Sequence, residues 1–297
     1  LKLKIFAALL GMLLLIACHN NMDSIENTSV SVADTISSST VSTTNFSSSI
    51  DPPYNIDFAH TFPEAFAECF SNDYEVTRTS YLIGRGTEFE NEVTVISSKE
   101  KGASFYIVAG VHGDEEAAWR AGELLKKVKI KAGTLYILAP ANRQGATANP
   151  LSRYVTGYLD LNRNFPGNEH GNLAQMMAHS IYEDIKRVDP TFVLDLHEAR
   201  PEEETRDFLG SSLIFTDLGE KTDLLMQIIS ETQQGTLCSE SFNYFSPAPN
   251  GSINKTVSLE LAIPTITVET FRGYLMETRV SDQLGMVGRF LIEYEML

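Results

Sequence analysis

Cysteine is scarce, with three residues in 297, at Cys18, Cys69 and Cys238. That excludes a scaffold built on several disulfides. The pair Cys69 and Cys238 stays open between one bridge and two buried thiols. Basic charge is also short: 23 Lys and Arg face 39 Asp and Glu, for a net charge of −16. No basic block offsets this balance, which excludes nucleic acid as a partner. Long apolar runs are missing too. The run from Ile5 to Ala17 falls short of the roughly 20 residues that a membrane-spanning helix needs. There is no internal repeat, which excludes a solenoid or propeller.

What is present divides into three parts. Residues 1–18 read LKLKIFAALLGMLLLIAC, a basic start, a short apolar core and a small residue before cysteine. This layout resembles a bacterial lipoprotein signal, with Cys18 as the lipid-modified residue. It implies an extracytoplasmic protein anchored to a bacterial membrane through lipid. Residues 19–50 are rich in Ser, Thr and Asn and nearly uncharged, the composition of a flexible linker. Residues 51–297 are long enough for one α/β domain.

Within that region, strand and helix patterns alternate. Proline and scattered aromatics at 51–70 predict a packed lead-in with a short helix near Pro63–Phe70. Residues 74–83 and 92–98 read as a β-hairpin. Short β-branched or aromatic runs predict strands at 104–110, 134–139, 191–196, 211–215 and 264–269. Apolar spacing predicts helices at 115–127, 172–188, 221–233 and 282–294, the first with Asp114 as its N-cap. Such alternation implies a mixed, mostly parallel sheet covered on both faces. Residues 142–167 show no period, and a loop of that length in a compact domain is commonly functional.

Chemistry-bearing residues gather where strands end, the edge at which open α/β sheets bind ligands. His112 and Glu115 follow the 104–110 strand with H-x-x-E spacing. His197 follows the 191–196 strand, in Asp195-Leu196-His197-Glu198. Glu269 ends the strand Ile266-Thr267-Val268-Glu269. Two imidazoles and a carboxylate are the donors of a catalytic zinc site, which keeps one position open. Between the pair and the distant histidine lies Asp160-Leu161-Asn162-Arg163-Asn164-Phe165, a D-x-N-R-N segment followed by an aromatic.

These four motifs, in this order, resemble the zinc carboxypeptidase superfamily, in its succinylglutamate desuccinylase/aspartoacylase or murein peptide amidase branches. The resemblance implies an α/β three-layer sandwich of the carboxypeptidase type, with about eight strands. It implies one zinc ion on His112, Glu115 and His197. Glu269 becomes the residue that takes a proton from water and returns it to the leaving amine. Asn162 and Arg163 become the clamp on a free substrate carboxylate, the arginine as a two-pronged pair. Asp160 becomes the partner that orients His112. Arg153 becomes the residue that meets the developing oxyanion, with Arg143 as its rival. Tyr244 is either a mobile tyrosine over the substrate or a packing aromatic. Glu198 is open between supporting the ligands and facing solvent. Trp119 reads as a core residue of its helix, and His170 and His179 as surface residues.

The chain is too short after Glu269 for the extra C-terminal domain of aspartoacylases, so a cleft open to a peptide tail is expected. The sequence thus points to a zinc hydrolase that cuts a peptide or N-acyl amide bond beside a free carboxylate. A metallocarboxypeptidase or murein-peptide amidase comes first, and an N-acyl amino acid deacylase second. A solute-binding lipoprotein on a degenerate hydrolase scaffold is the non-enzymatic rival.

Overall fold

The computed structural model describes residues 72–201 and 209–297. The expectations for the signal with Cys18, the linker and the lead-in with Cys69 lie outside the described residues.

Among the described residues, eight strands form one sheet. In chain order they are β1 (Val76–Ile83), β2 (Asn91–Ser98), β3 (Glu100–Ala109), β4 (Ala132–Leu138), β5 (Phe192–Ala199), β6 (Ser212–Phe215), β7 (Asn243–Phe245) and β8 (Thr265–Phe271). Their spatial order is β1-β2-β4-β3-β5-β8-β6-β7. The centre, β4-β3-β5-β8, is parallel. The pairs β1-β2, β2-β4 and β6-β8 are antiparallel. The expected hairpin is therefore present, and the sheet is mixed with a parallel core.

Period-2 alternation along the central strands feeds two separate cores. Phe105, Ile107, Phe192, Leu194, Leu196, Ile266 and Val268 point to one face. There they meet the helices α1 (Glu116–Leu125), α4 (Thr222–Gln233) and α6 (Met276–Glu293). Tyr106, Val108 and Val193 point the other way, toward α3 (Leu173–Val188) and the short α5 (Ile253–Thr256). Both core faces of β3 and β5 are dry, which is why those strands read as unbroken apolar runs rather than alternating ones.

Several boundaries differ from the sequence expectation. Asp114 does not cap α1. Glu115 holds the N-cap position and makes no side-chain cap, while Asp114 pairs with Arg272 at 3.0 Å. The ion pair outcompetes the local cap. Asn172 does cap α3, in a reciprocal capping box with Gln175. α6 starts at Met276, a turn and a half ahead of the predicted start. The aperiodic 142–167 stretch contains a short helix, α2 (Arg143–Thr147), and a 3-10 turn, Leu161–Arg163. Trp119 is buried as expected, and its Nε1 donates to the Gly113 carbonyl. His170 is exposed; His179 is half-buried where Gly167 packs on it. Cys238 is a buried free thiol, and burial pushes its pKa up.

Candidate active site

The site forms because β3 stops early. β3 pairs with β5 up to Ala109 opposite Leu196, while β5 runs on to Ala199. Gly110 turns the chain with φ +74° and lies against Trp119, where a Cβ would sit 2.7 Å from that side chain. The next loop carries His112 and Glu115 into the gap. Gly113 packs directly on α2: a Cβ there would fall 2.2 Å from the Gly145 carbonyl carbon. Asn142 holds α2 in place, accepting from the Gly145 N–H and donating to the Arg153 carbonyl.

His112, Glu115 and His197 converge, with their donor atoms within 4.8 Å of one another, and all three are buried. His112 Nδ1 lies 2.6 Å from Glu115 Oε1, and His197 Nδ1 lies 2.7 Å from Oε2. The outer nitrogen of each ring faces a second carboxylate. His112 Nε2 is 3.1 Å from Asp160 Oδ1, and His197 Nε2 is 3.0 Å from Asp195 Oδ1. Asp160 hydrogen-bonds His112 Nε2, which favours a ring proton there and turns the Nδ1 lone pair of His112 toward Glu115; Asp195 Oδ1 lies near His197 Nε2 without a hydrogen bond. Ring nitrogens this close to a carboxylate need either protons or a metal cation between them. The donor set fits a zinc ion.

Electrostatics follow from the same contacts. Burial alone would raise the Glu115 pKa, but the two histidines hold it well below the usual carboxylate range. Burial would lower that of His197, while Asp195 and Glu115 raise it well above the usual value. Asp160 is likewise held below its ordinary range against burial, chiefly by His112 and then by Arg153 and Arg163.

Glu269 stands beside His197 in the β5-β8 register. Burial pushes its pKa up to about 7; His197 and His112 oppose the shift, and Glu115 and Asp195 add to it. A buried carboxyl with a raised pKa can both take and return a proton.

The D-x-N-R segment closes one side. Asp160 starts its 3-10 turn and accepts the Asn162 N–H at 2.9 Å. Asn162 Oδ1 accepts the Ile253 N–H at 3.0 Å, and its amide nitrogen lies 3.3 Å from His197 Nε2. Its side chain is thus partly engaged in holding the site together. Arg163 lines the cleft, with one nitrogen donating to the Asn162 carbonyl at 2.8 Å. Arg153 reaches Glu115 at 3.0 Å and Asp160 at 3.4 Å and also lines the cleft. Arg143 is exposed at the start of α2 and does not line it. Tyr244 does not line it either: its ring is 48% exposed on β7 and lies 6.5 Å from Phe215.

The cleft encloses about 260 Å³, bounded by His112, Glu115, His197, Glu269, the arginines 153, 163 and 200, and Ser252. Sequence reasoning assigned no role to Asp195, which period 2 places on the same strand face as His197. It left Glu198 open; the structure buries it. Arg272, Arg279 and Gln283 were missed altogether, since nothing local in the sequence ties them to β5.

The family model for the succinylglutamate desuccinylase/aspartoacylase catalytic domain matches residues 101–269. Solved structures with the same fold include a succinylglutamate desuccinylase from a Silicibacter species, at 17% identity and TM-score 0.54, covering 76% of this chain and 72% of that one. A metallo-carboxypeptidase from Burkholderia cenocepacia aligns at 12% identity and TM-score 0.55, covering 77% and 67%. The tripeptide-bound cell shape determinant Csd4 from Helicobacter pylori aligns at 14% identity and TM-score 0.56, covering 75% and 56%. No curated protein sequence matches the chain.

Proposed function

The chain belongs to the succinylglutamate desuccinylase/aspartoacylase catalytic family, and on that premise we propose a one-zinc hydrolase that cuts an amide bond beside a free carboxylate. The observation that carries this reading is the convergence of His112, Glu115 and His197, each ring backed by its own carboxylate. Zinc bound there supplies Lewis acidity, which makes hydroxide available at neutral pH and polarises the scissile carbonyl.

The remaining steps fall to the chain's own side chains. Arg163 pairs with the substrate's free carboxylate and fixes which amide enters the centre. Arg153 stands at the cleft wall where negative charge develops on the carbonyl oxygen. Glu269 accepts a proton from the attacking water and passes it to the leaving nitrogen, releasing an acid and an amine. Asp160 keeps the His112 imidazole in one tautomer throughout.

Two substrate classes remain. The family match favours an N-acyl amino acid; a small peptide, as for a metallocarboxypeptidase or murein-peptide amidase, suits an extracytoplasmic enzyme. A panel of N-acyl amino acids, C-terminal dipeptides and muropeptide stems, each with and without a zinc chelator, separates them. Chelator-sensitive cleavage of either class supports the hydrolase. Zinc-loaded protein that cleaves none of them would instead indicate the solute-binding lipoprotein. We also propose lipid attachment at Cys18, which a labelled fatty acid should mark in the wild-type chain and not in Cys18→Ser.

A further inference from the structure

Along β5, neighbouring side chains serve opposite layers. His197 faces the cleft; Glu198 faces α1 and α6 and is only 2% exposed. A buried carboxylate is costly unless fully partnered, and an apolar side chain would pack the same space at less cost. The partners Glu198 holds are therefore informative.

Its main-chain N–H would be the next to pair with β3, but that strand has ended. Glu115 Oε2 accepts it instead, at 3.1 Å. Its side-chain Oε2 accepts the Ala117 N–H at 2.9 Å, in the first turn of α1. That turn lacks a side-chain cap of its own, so Glu198 caps the helix from a different strand. Its other oxygen pairs with Arg279 of α6. One turn further along α6, Gln283 Nε2 donates to the His197 carbonyl at 2.6 Å and to Thr270 Oγ1 at 3.2 Å. Helix α6 thus grips the main chain of His197 directly. Through Glu198 it also grips the start of the helix that follows Glu115.

We propose that Glu198, held by Arg279, is the positioning residue of the metal centre: it fixes the Glu115 carboxylate relative to His197 through the first turn of α1. Glu198 borders the cleft, but both of its side-chain oxygens are taken by Ala117 and Arg279. It sets the distance between two ligands that come from segments far apart in sequence. The inference rests on the zinc reading above. Loss of an outer partner of this kind typically weakens metal binding by about 10–100-fold.

The test is zinc affinity of the full chain, measured by competition with a chromogenic chelator, alongside thermal unfolding of the metal-free protein. Glu198→Ala should bind zinc about 10–100-fold more weakly. Glu198→Gln, which keeps an oxygen for the Ala117 N–H, should lose less. Asp184→Asn is the control for a purely structural loss. Asp184 is buried on the other face of the sheet, where it accepts from Tyr81 and Tyr106 at 2.7 Å each. That variant should lower the unfolding temperature and leave zinc affinity unchanged. The positioning role is overturned if both Glu198 variants bind zinc as tightly as the wild type, or if Asp184→Asn weakens zinc as much as they do. Should Glu198→Ala fail to fold, Glu198→Gln and Arg279→Met decide by the same comparison. A wild-type chain that binds no zinc at all would overturn the metal reading together with this one.

Discussion

Glu269 and Arg163 are expected to fail in different ways when replaced, because one acts on the reacting atoms and the other on a distant part of the substrate. Glu269→Gln keeps the shape of the side chain and removes the proton acceptor. It should retain zinc while kcat falls about 10²–10⁴-fold, the usual share of a positioned acid–base group. Metal analysis beside steady-state kinetics checks this, and a variant that keeps its turnover would sink the assigned role. Arg163→Ala removes a charge-assisted carboxylate pair of about 1.5–3 kcal/mol. KM should rise about 10–100-fold with a smaller change in kcat. An unchanged KM on every carboxylate substrate would show that another group holds that end. At this scale the sequence exposes the residues that converge in the cleft, since H-x-x-E and D-x-N-R are local patterns. It hides their supports. Asp195 is legible only through strand periodicity, and Arg279 and Gln283 not at all, because their bonds to residues 197–198 cross the molecule.

Among the elements, the early end of β3 and its approach to α2 shape the site most. Gly113 sits between His112 and Glu115, with no room for a Cβ against the Gly145 backbone. Gly113→Ala should therefore cost more than the roughly 1–3 kcal/mol of ordinary overpacking, since backbone rather than a flexible side chain must move. It should also loosen His112, so urea unfolding and zinc content should fall together. Normal zinc content in a stable Gly113→Ala protein would contradict the packing argument. The long strands and amphipathic helices were legible because each buries a continuous face. The short β7 and α5 were not, as three or four residues carry no period. The Asp114 cap was misjudged because a local rule cannot see Arg272, a partner 158 positions away. Tyr244 was open between two roles, and its place on exposed β7, away from the cleft, favours neither closure nor core packing in this conformation.

For the molecule as a whole, α6 joins the layers and carries a pH dependence. Asp282 is buried on α6 and accepts the Ser239 N–H at 2.7 Å. Burial raises its pKa from 3.8 to about 6, against the pull of the backbone N–H groups of Ser239 and Glu240. The folded protein therefore keeps a proton that the unfolded chain releases between those values. This contribution is full below the lower pKa and is lost as pH rises through the upper one. Relative to Asp282→Asn, the wild type should lose about 2–3 kcal/mol of stability over that window. Parallel denaturant curves for the two proteins would contradict the burial argument.

The proposed hydrolysis requires His112, Glu115 and His197 to hold one ion. The direct measurement is zinc per chain, by metal mass spectrometry, in the wild type and in His197→Ala. The account predicts one zinc per wild-type chain and loss of most of it in the variant, with the variant still folded by circular dichroism. A folded wild type without zinc, or equal zinc in both proteins, would contradict it.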